Sequence, residues 1–157
     1  MQIKIITNSE IETINLGEKI SSLLFPGAIL TLDGDLGAGK TTFAKGIAKG
    51  LKIKDDVNSP TFNILKCYFN KNGLNFYHID AYRLEDVSSD NKNIGLEEVI
   101  EGDGVCYIEW PKFISEFIPE NKTLDILVHI LEDNKREFTF STNYSKYFKI
   151  IEDLRGF

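Results

Sequence analysis

Residues 34–41 read "GDLGAGKT", set between the apolar run "GAILTL" (27–32) and "TTFAKGIAKGL" (41–51). A strand, a glycine-rich turn and a helix in that order can aim backbone N–H groups at phosphate oxygens. Gly34, Gly39, Lys40 and Thr41 fit G-x-x-x-x-G-K-[ST] without a mismatch. In such a loop Lys40 would reach the β- and γ-phosphates and the Thr41 hydroxyl would ligate Mg²⁺. The helix that follows adds its N-terminal N–H groups and the positive end of its dipole. A dinucleotide fingerprint, G-x-G-x-x-G, is excluded because the glycines fall at 34, 37 and 39. This stretch sets the expected fold class: α/β, a P-loop NTPase-like mixed sheet flanked by helices, with antiparallel hairpins.

Outward from the loop, "QIKII" (2–6) reads as a strand and "SEIETINLGEKISSLL" (9–24) as an amphipathic helix. Thr7 with Glu10, and Ser9 with Glu12, both fit a capping box. Downstream, "TFNILKCYF" (61–69) and "LNFYHID" (74–80) flank "NKNG", a hairpin signal. Residues 83–95 are polar and turn-rich, a mobile excursion. "GLEEVIEG" (95–102) reads as a short helix, "GVCYIEW" (104–110) as a buried strand and "KFISEFI" (112–118) as another short helix. "TLDILVHI" (123–130) and "REFTFS" (136–141) make a second hairpin around "LEDNK". The tail from Asn143 to Phe157 reads as helical in part and as a peripheral extension. With no repeat, linker or low-complexity segment, residues 1–157 are expected to form a single domain built around the P-loop.

Composition narrows the function. A chain with 42% hydrophobic and 27% charged residues is globular in character. No run approaches the roughly 18 apolar residues of a membrane span. The start "MQIKIITNSE" lacks a basic n-region, an apolar stretch and a cleavage site, so the expected location is cytoplasmic. The formal net charge is −6, and only three arginines (Arg83, Arg136, Arg155) accompany fifteen lysines. A chain that held a nucleic-acid backbone by itself would carry a basic surface. Cys67 and Cys106 lack C-x-x-C spacing and read as free thiols.

A P-loop enzyme needs a carboxylate at a neighbouring strand end to hold the magnesium shell or orient the attacking water. Asp80 ends "NFYHID" and Glu109 ends "GVCYIE", both at the strand ends where ligands bind in open α/β sheets. His78 shares a strand face with Asp80 and reads as a packing residue. "VNSPTF" (57–62) follows the P-loop helix and could sense the γ-phosphate through Thr61. "NKTLD" (121–125) has one residue too many for the guanine-recognition motif N-K-x-D. Few, scattered arginines disfavour a small-molecule phosphotransferase, the principal alternative. A third class is a nucleotide-binding scaffold that does not hydrolyse.

"GDLGAGKTTF", "SPTF", "YHIDAYRL" and "IEWP", in this order and spacing, resemble the bacterial TsaE family, also called YjeE; with "SEIETINLGEKI" the likeness spans roughly residues 7–140. The resemblance implies a P-loop ATPase with ATP and Mg²⁺ as cofactors, required for N6-threonylcarbamoyladenosine in tRNA. It implies association with a TsaD–TsaB-type complex, with tRNA met through that complex and no membrane partner. By position, Leu36, Gly37, Ala38, Gly39, Lys40, Thr41 and Thr42 would embrace the phosphates, and Thr41 with Glu109 would hold Mg²⁺. Asp80 would serve hydrolysis, Thr61 would sit in a nucleotide-sensing loop, and Glu10 and Arg136 would lie near the nucleotide. Trp110, the one tryptophan, could pack in the core, against the switch or toward a partner.

Overall fold

The structure, a computed structural model, describes residues 1–35, 37–57, 64–92 and 95–157. Among the described residues seven strands form one sheet: β1 (Gln2–Thr7), β2 (Ile29–Gly34), β3 (Leu65–Tyr68), β4 (Phe76–Asp80), β5 (Val105–Glu109), β6 (Leu124–Ile130) and β7 (Arg136–Ser141). Their order across the sheet is β1-β7-β6-β2-β5-β4-β3. β2 runs parallel to β5 and β6, and β4 parallel to β5. The pairs β3/β4, β6/β7 and β1/β7 are antiparallel. The mixed sheet and both hairpins are therefore those expected.

Burial explains which strands are central. Strands of a parallel sheet covered on both faces are apolar throughout, whereas a strand with one wet face alternates. All five residues of β5 are buried, as are the first four of β2. β6 and β7 instead alternate buried with exposed or half-buried positions.

On one face lie α1 (Glu10–Ser21), α2 (Lys40–Gly50) and α5 (Phe148–Leu154), over a core that includes Leu16, Leu30, Leu32, Phe43, Ile47 and Phe138. α1 and α2 cross closely, since a Cβ at Gly17 would come within 2.8 Å of the Phe43 carbonyl oxygen. On the other face α4 (Leu96–Ile100) and the 3₁₀ segment Pro111–Phe117 cover the β4-β5-β2 side, with Ile29, Ile79, Cys106 and Ile108 beneath, and α3 (Ser89–Lys92) packs on that 3₁₀ segment.

Three details differ from expectation. Of the two capping boxes, only Ser9 caps α1, its hydroxyl accepting from the Glu12 N–H at 3.2 Å. Thr7 is buried, and its hydroxyl bonds that of Thr13 at 2.7 Å, so it cannot serve Glu10. The tail is no periphery: Tyr147, Ile150, Ile151 and Leu154 are core residues, and the Ile29 N–H donates to the Tyr147 hydroxyl at 2.8 Å. The polar excursion contains α3 and is pinned at Lys92, whose ammonium donates to the Phe113 carbonyl at 2.6 Å. Among the described residues, no helix is long and apolar enough to cross a membrane.

Candidate nucleotide site

The strand directions gather the candidate residues at one end of the sheet. The C-terminal ends of β1, β2, β4, β5 and β6 meet there, together with the start of β7. The loop between β2 and α2 lies at the centre of that edge. Its glycines take up the left-handed region, with φ of 131° at Gly34, 73° at Gly37 and 95° at Gly39. Gly34 is also a close approach, because a Cβ there would collide with the Val128 carbonyl oxygen of β6. Asp35 continues the anchorage, its N–H donating to that same carbonyl at 3.2 Å. Leu36 lies outside the described residues.

Gly39 is the N-cap of α2, with no side-chain cap on the helix. Lys40, Thr41 and Thr42 form the first turn, where N–H groups lack intrahelical partners. Lys40 is only 6% exposed, and among the described residues its ammonium has no hydrogen-bond partner. It sits instead over the indole of Trp110, 4.8 Å from the ring centroid. Trp110 has φ 57° and ψ 53°, a left-handed turn that carries the chain off β5 and under the lysine. Tyr82 lies against Trp110 at 5.1 Å between centroids, and Phe113 stacks on it at 6.1 Å. Trp110 is thus half-buried between the phosphate loop and an exposed Tyr82.

Glu109 and Asp80 are register partners across β5 and β4, and Leu32 of β2 pairs with Glu109 on the other side. Glu109 is buried and accepts a 2.6 Å hydrogen bond from His78 Nε2. Asp80 is half-buried; burial is the main cause that pushes its carboxyl above the usual range, and neighbouring Glu109 adds to it. The Tyr82 N–H, donating to Asp80 at 3.1 Å, opposes the shift, as do His78 and Lys40. The Asp80 N–H donates to the carbonyl of Ile64 at 2.8 Å, so the chain that leaves residues 58–63 arrives beside the carboxylates. Thr61 itself lies outside the described residues.

On the opposite flank of β2, Arg136 opens β7 and pairs with Thr7 and Ile130. Its Nε lies 3.9 Å from where a Gly39 Cβ would be. Glu10 is exposed in the first turn of α1, three residues beyond Thr7 at the same sheet edge. His129 is half-exposed, 3.7 Å from Asp35.

Two residues go beyond the sequence reading. Tyr107 is fully buried, and its hydroxyl donates to the Lys40 carbonyl, tying the start of α2 to β5. His78 does more than pack, because it bonds the Glu109 carboxylate. Strand alternation puts His78 with Asp80, and Tyr107 with Glu109, on one face; only the pairing of β4 with β5 brings the two sets together.

The model of the threonylcarbamoyl adenosine biosynthesis protein TsaE matches residues 7–138. The chain belongs to the TsaE family. Its relatives include the protein named tRNA threonylcarbamoyladenosine biosynthesis protein TsaE in Bacillus subtilis strain 168, 44% identical over 98% of this chain and 94% of that protein. The protein of the same name in Treponema pallidum strain Nichols is 40% identical over 85% of this chain and 96% of its own length. The crystal structure of YdiB from Bacillus subtilis superposes with a TM-score of 0.82 at 38% identity, covering 99% of this chain and 95% of that one. The α/β fold described above is thus that of a solved structure similar over nearly its whole length.

Proposed function

We propose that this TsaE-family chain is a magnesium-dependent ATP-binding and ATP-hydrolysing protein required for N6-threonylcarbamoyladenosine formation in tRNA, acting with a TsaD–TsaB-type complex. The observation that carries the nucleotide reading is the Lys40 ammonium, buried and, among the described residues, without a hydrogen-bond partner at the start of a helix behind three left-handed glycines. An unpaired buried cation is costly, and a phosphate at that helix N-terminus would supply the missing acceptor. Family membership supports the pathway and favours this reading over a phosphotransferase.

Thr41 and Glu109 offer a hydroxyl and a carboxylate, hard oxygen donors that suit Mg²⁺, an ion that keeps waters and phosphate oxygens in its shell. A magnesium ion held there would supply charge neutralisation to the bound phosphates. Lys40 would leave the Trp110 face for the phosphates, with Gly37, Ala38, Gly39 and Thr42 presenting backbone N–H groups. Asp80, whose raised carboxyl lies next to Glu109, would orient the attacking water. Arg136 and Glu10 would meet the nucleotide from the opposite flank, and Leu36 and Thr61 would complete the loop and the sensing segment. Turnover by the chain alone is expected to be slow, with a partner supplying charge or closing the site. Arginine fingers are worth on the order of 10³ to 10⁵ in rate, the scale on which a partner could act. The acidic balance of −6 fits a partner that holds the tRNA.

The test is nucleoside analysis of tRNA from cells depleted of this chain and complemented with it. The wild-type chain should restore threonylcarbamoyladenosine, whereas Lys40→Ala and Thr41→Ala should not. Full restoration by Lys40→Ala would separate the pathway from the phosphate loop and sink the proposal.

A further inference from the structure

We propose that His78 is a positioning residue: through Nε2 it fixes the Glu109 carboxylate, leaving the other carboxylate oxygen to the magnesium ion. This rests on the assignment of Glu109 to the metal made above. The starting observation is topological. His78 pairs with Tyr107, and Asp80 with Glu109, across two parallel strands, and all four side chains share the face that α2 covers.

The imidazole has no freedom to do anything else. His78 is 0% exposed; the Tyr107 ring meets it edge-on at 4.9 Å, and Phe76 lies 6.3 Å away. Nε2 reaches Glu109 Oε2 at 2.6 Å, a hydrogen bond closed off from solvent. Nδ1 is buried and has no hydrogen-bond partner among the described residues. A neutral imidazole has one donor and one acceptor nitrogen. Donation from Nε2 puts the proton where the acceptor is and leaves only a lone pair unmatched at Nδ1. The reverse tautomer would bury an unpaired N–H and set two lone pairs against each other.

The consequence falls on Glu109. The terminal torsion of a glutamate is broad, so a carboxylate at a strand end samples a range of orientations. Committing Oε2 to His78 removes that range and makes Oε1 the oxygen available to a cation. A histidine that merely filled space would leave a buried carboxylate without a hydrogen bond, which is costly. Partners that hold metal-ligating carboxylates commonly change metal affinity about 10- to 100-fold when removed.

The experiment compares His78→Gln, whose amide can still donate at about the reach of Nε2, with His78→Asn, whose amide is too short, and with His78→Phe. Binding of a non-hydrolysable ATP analogue is measured by calorimetry in EDTA and across a Mg²⁺ series. His78→Asn and His78→Phe should bind the analogue in EDTA within about twofold of wild type, which also reports an intact loop. The Mg²⁺ concentration for half of the metal-dependent gain should rise about 10- to 100-fold in both, and His78→Gln should bring it back to within about threefold. Equal behaviour of the Gln and Asn variants, or a shift below twofold in Asn, overturns the proposal, even where Phe fails to fold. Glu109→Ala separates the two levels. If it leaves the Mg²⁺ requirement unchanged, the metal assignment fails; if it raises the requirement while Asn and Phe do not, only the role of His78 fails.

Discussion

The unpaired ammonium of Lys40 makes a prediction about stability as well as binding. Lys40→Met keeps the volume and the apolar stem while removing the charge. In the wild type that charge is 6% exposed, lacks a hydrogen bond among the described residues and is compensated by the Trp110 ring at 4.8 Å. The effective penalty for a buried ion is several kcal/mol, and a desolvated cation–π contact returns about 2 kcal/mol. The difference leaves a net cost of about 1–3 kcal/mol to be relieved by methionine. For a chain of this size each kcal/mol moves the melting temperature by about 2–4 °C. Thermal unfolding followed by circular dichroism, without nucleotide and in phosphate-free buffer, should therefore place the methionine variant about 2–12 °C above wild type. With Mg²⁺ and nucleotide at 100 times the dissociation constant, wild type should gain about 2.7 kcal/mol and the variant nothing. The two melting temperatures then converge or cross. A variant that melts below wild type without nucleotide, or that gains equally from it, would refute the claim that the site is strained in favour of an anion.

Three other perturbations bear on the frame around the site. Gly34→Ala puts a Cβ into the Val128 carbonyl at a φ of 131°, and should destabilise by about 3–5 kcal/mol in denaturant unfolding; a loss below 1 kcal/mol would show that the loop is not clamped to β6. Ser9→Ala should cost about 1 kcal/mol of stability and Glu10→Gln less than about 0.5 kcal/mol, since Ser9 alone caps α1; equal costs in thermal melts would restore the Thr7–Glu10 box. Burial pushes the Cys106 thiol up to about 12, so at pH 8 only on the order of 1 in 10⁴ is thiolate. Iodoacetamide at pH 8 should leave native Cys106 unmodified by mass spectrometry and label it in denaturant; rapid native labelling would mean that β5 is accessible.

Much of this architecture can be read directly from the chain, for reasons that are local. "GDLGAGKT" must be a strand-to-helix turn because its glycines carry the positive φ values and its lysine opens the helix. Asn72-Gly73 and the alternation in "TLDILVHI" mark hairpins without reference to anything distant. What is not local is not legible. Whether Thr7 or Ser9 caps α1 depends on Thr13 drawing the Thr7 hydroxyl into the core. The tail looks peripheral in sequence, since only its fold onto Ile29 shows that Tyr147 fills the core. The pairing of His78 with Glu109 requires β4 beside β5, a neighbour relation between residues 31 positions apart. The seat of Lys40 on Trp110 requires a left-handed residue immediately after the strand, which nothing in "IEWP" announces.

The measurement that bears most directly on the central claim is release of inorganic phosphate from ATP and Mg²⁺ by the purified chain, alone and with a TsaD–TsaB-type pair plus tRNA. Release should be slow for the chain alone and rise markedly with the pair, and Lys40→Ala should abolish it. Unchanged release with the pair present, accompanied by transfer of the γ-phosphate to a small molecule in a lysate, would contradict it and assign the loop to a phosphotransferase.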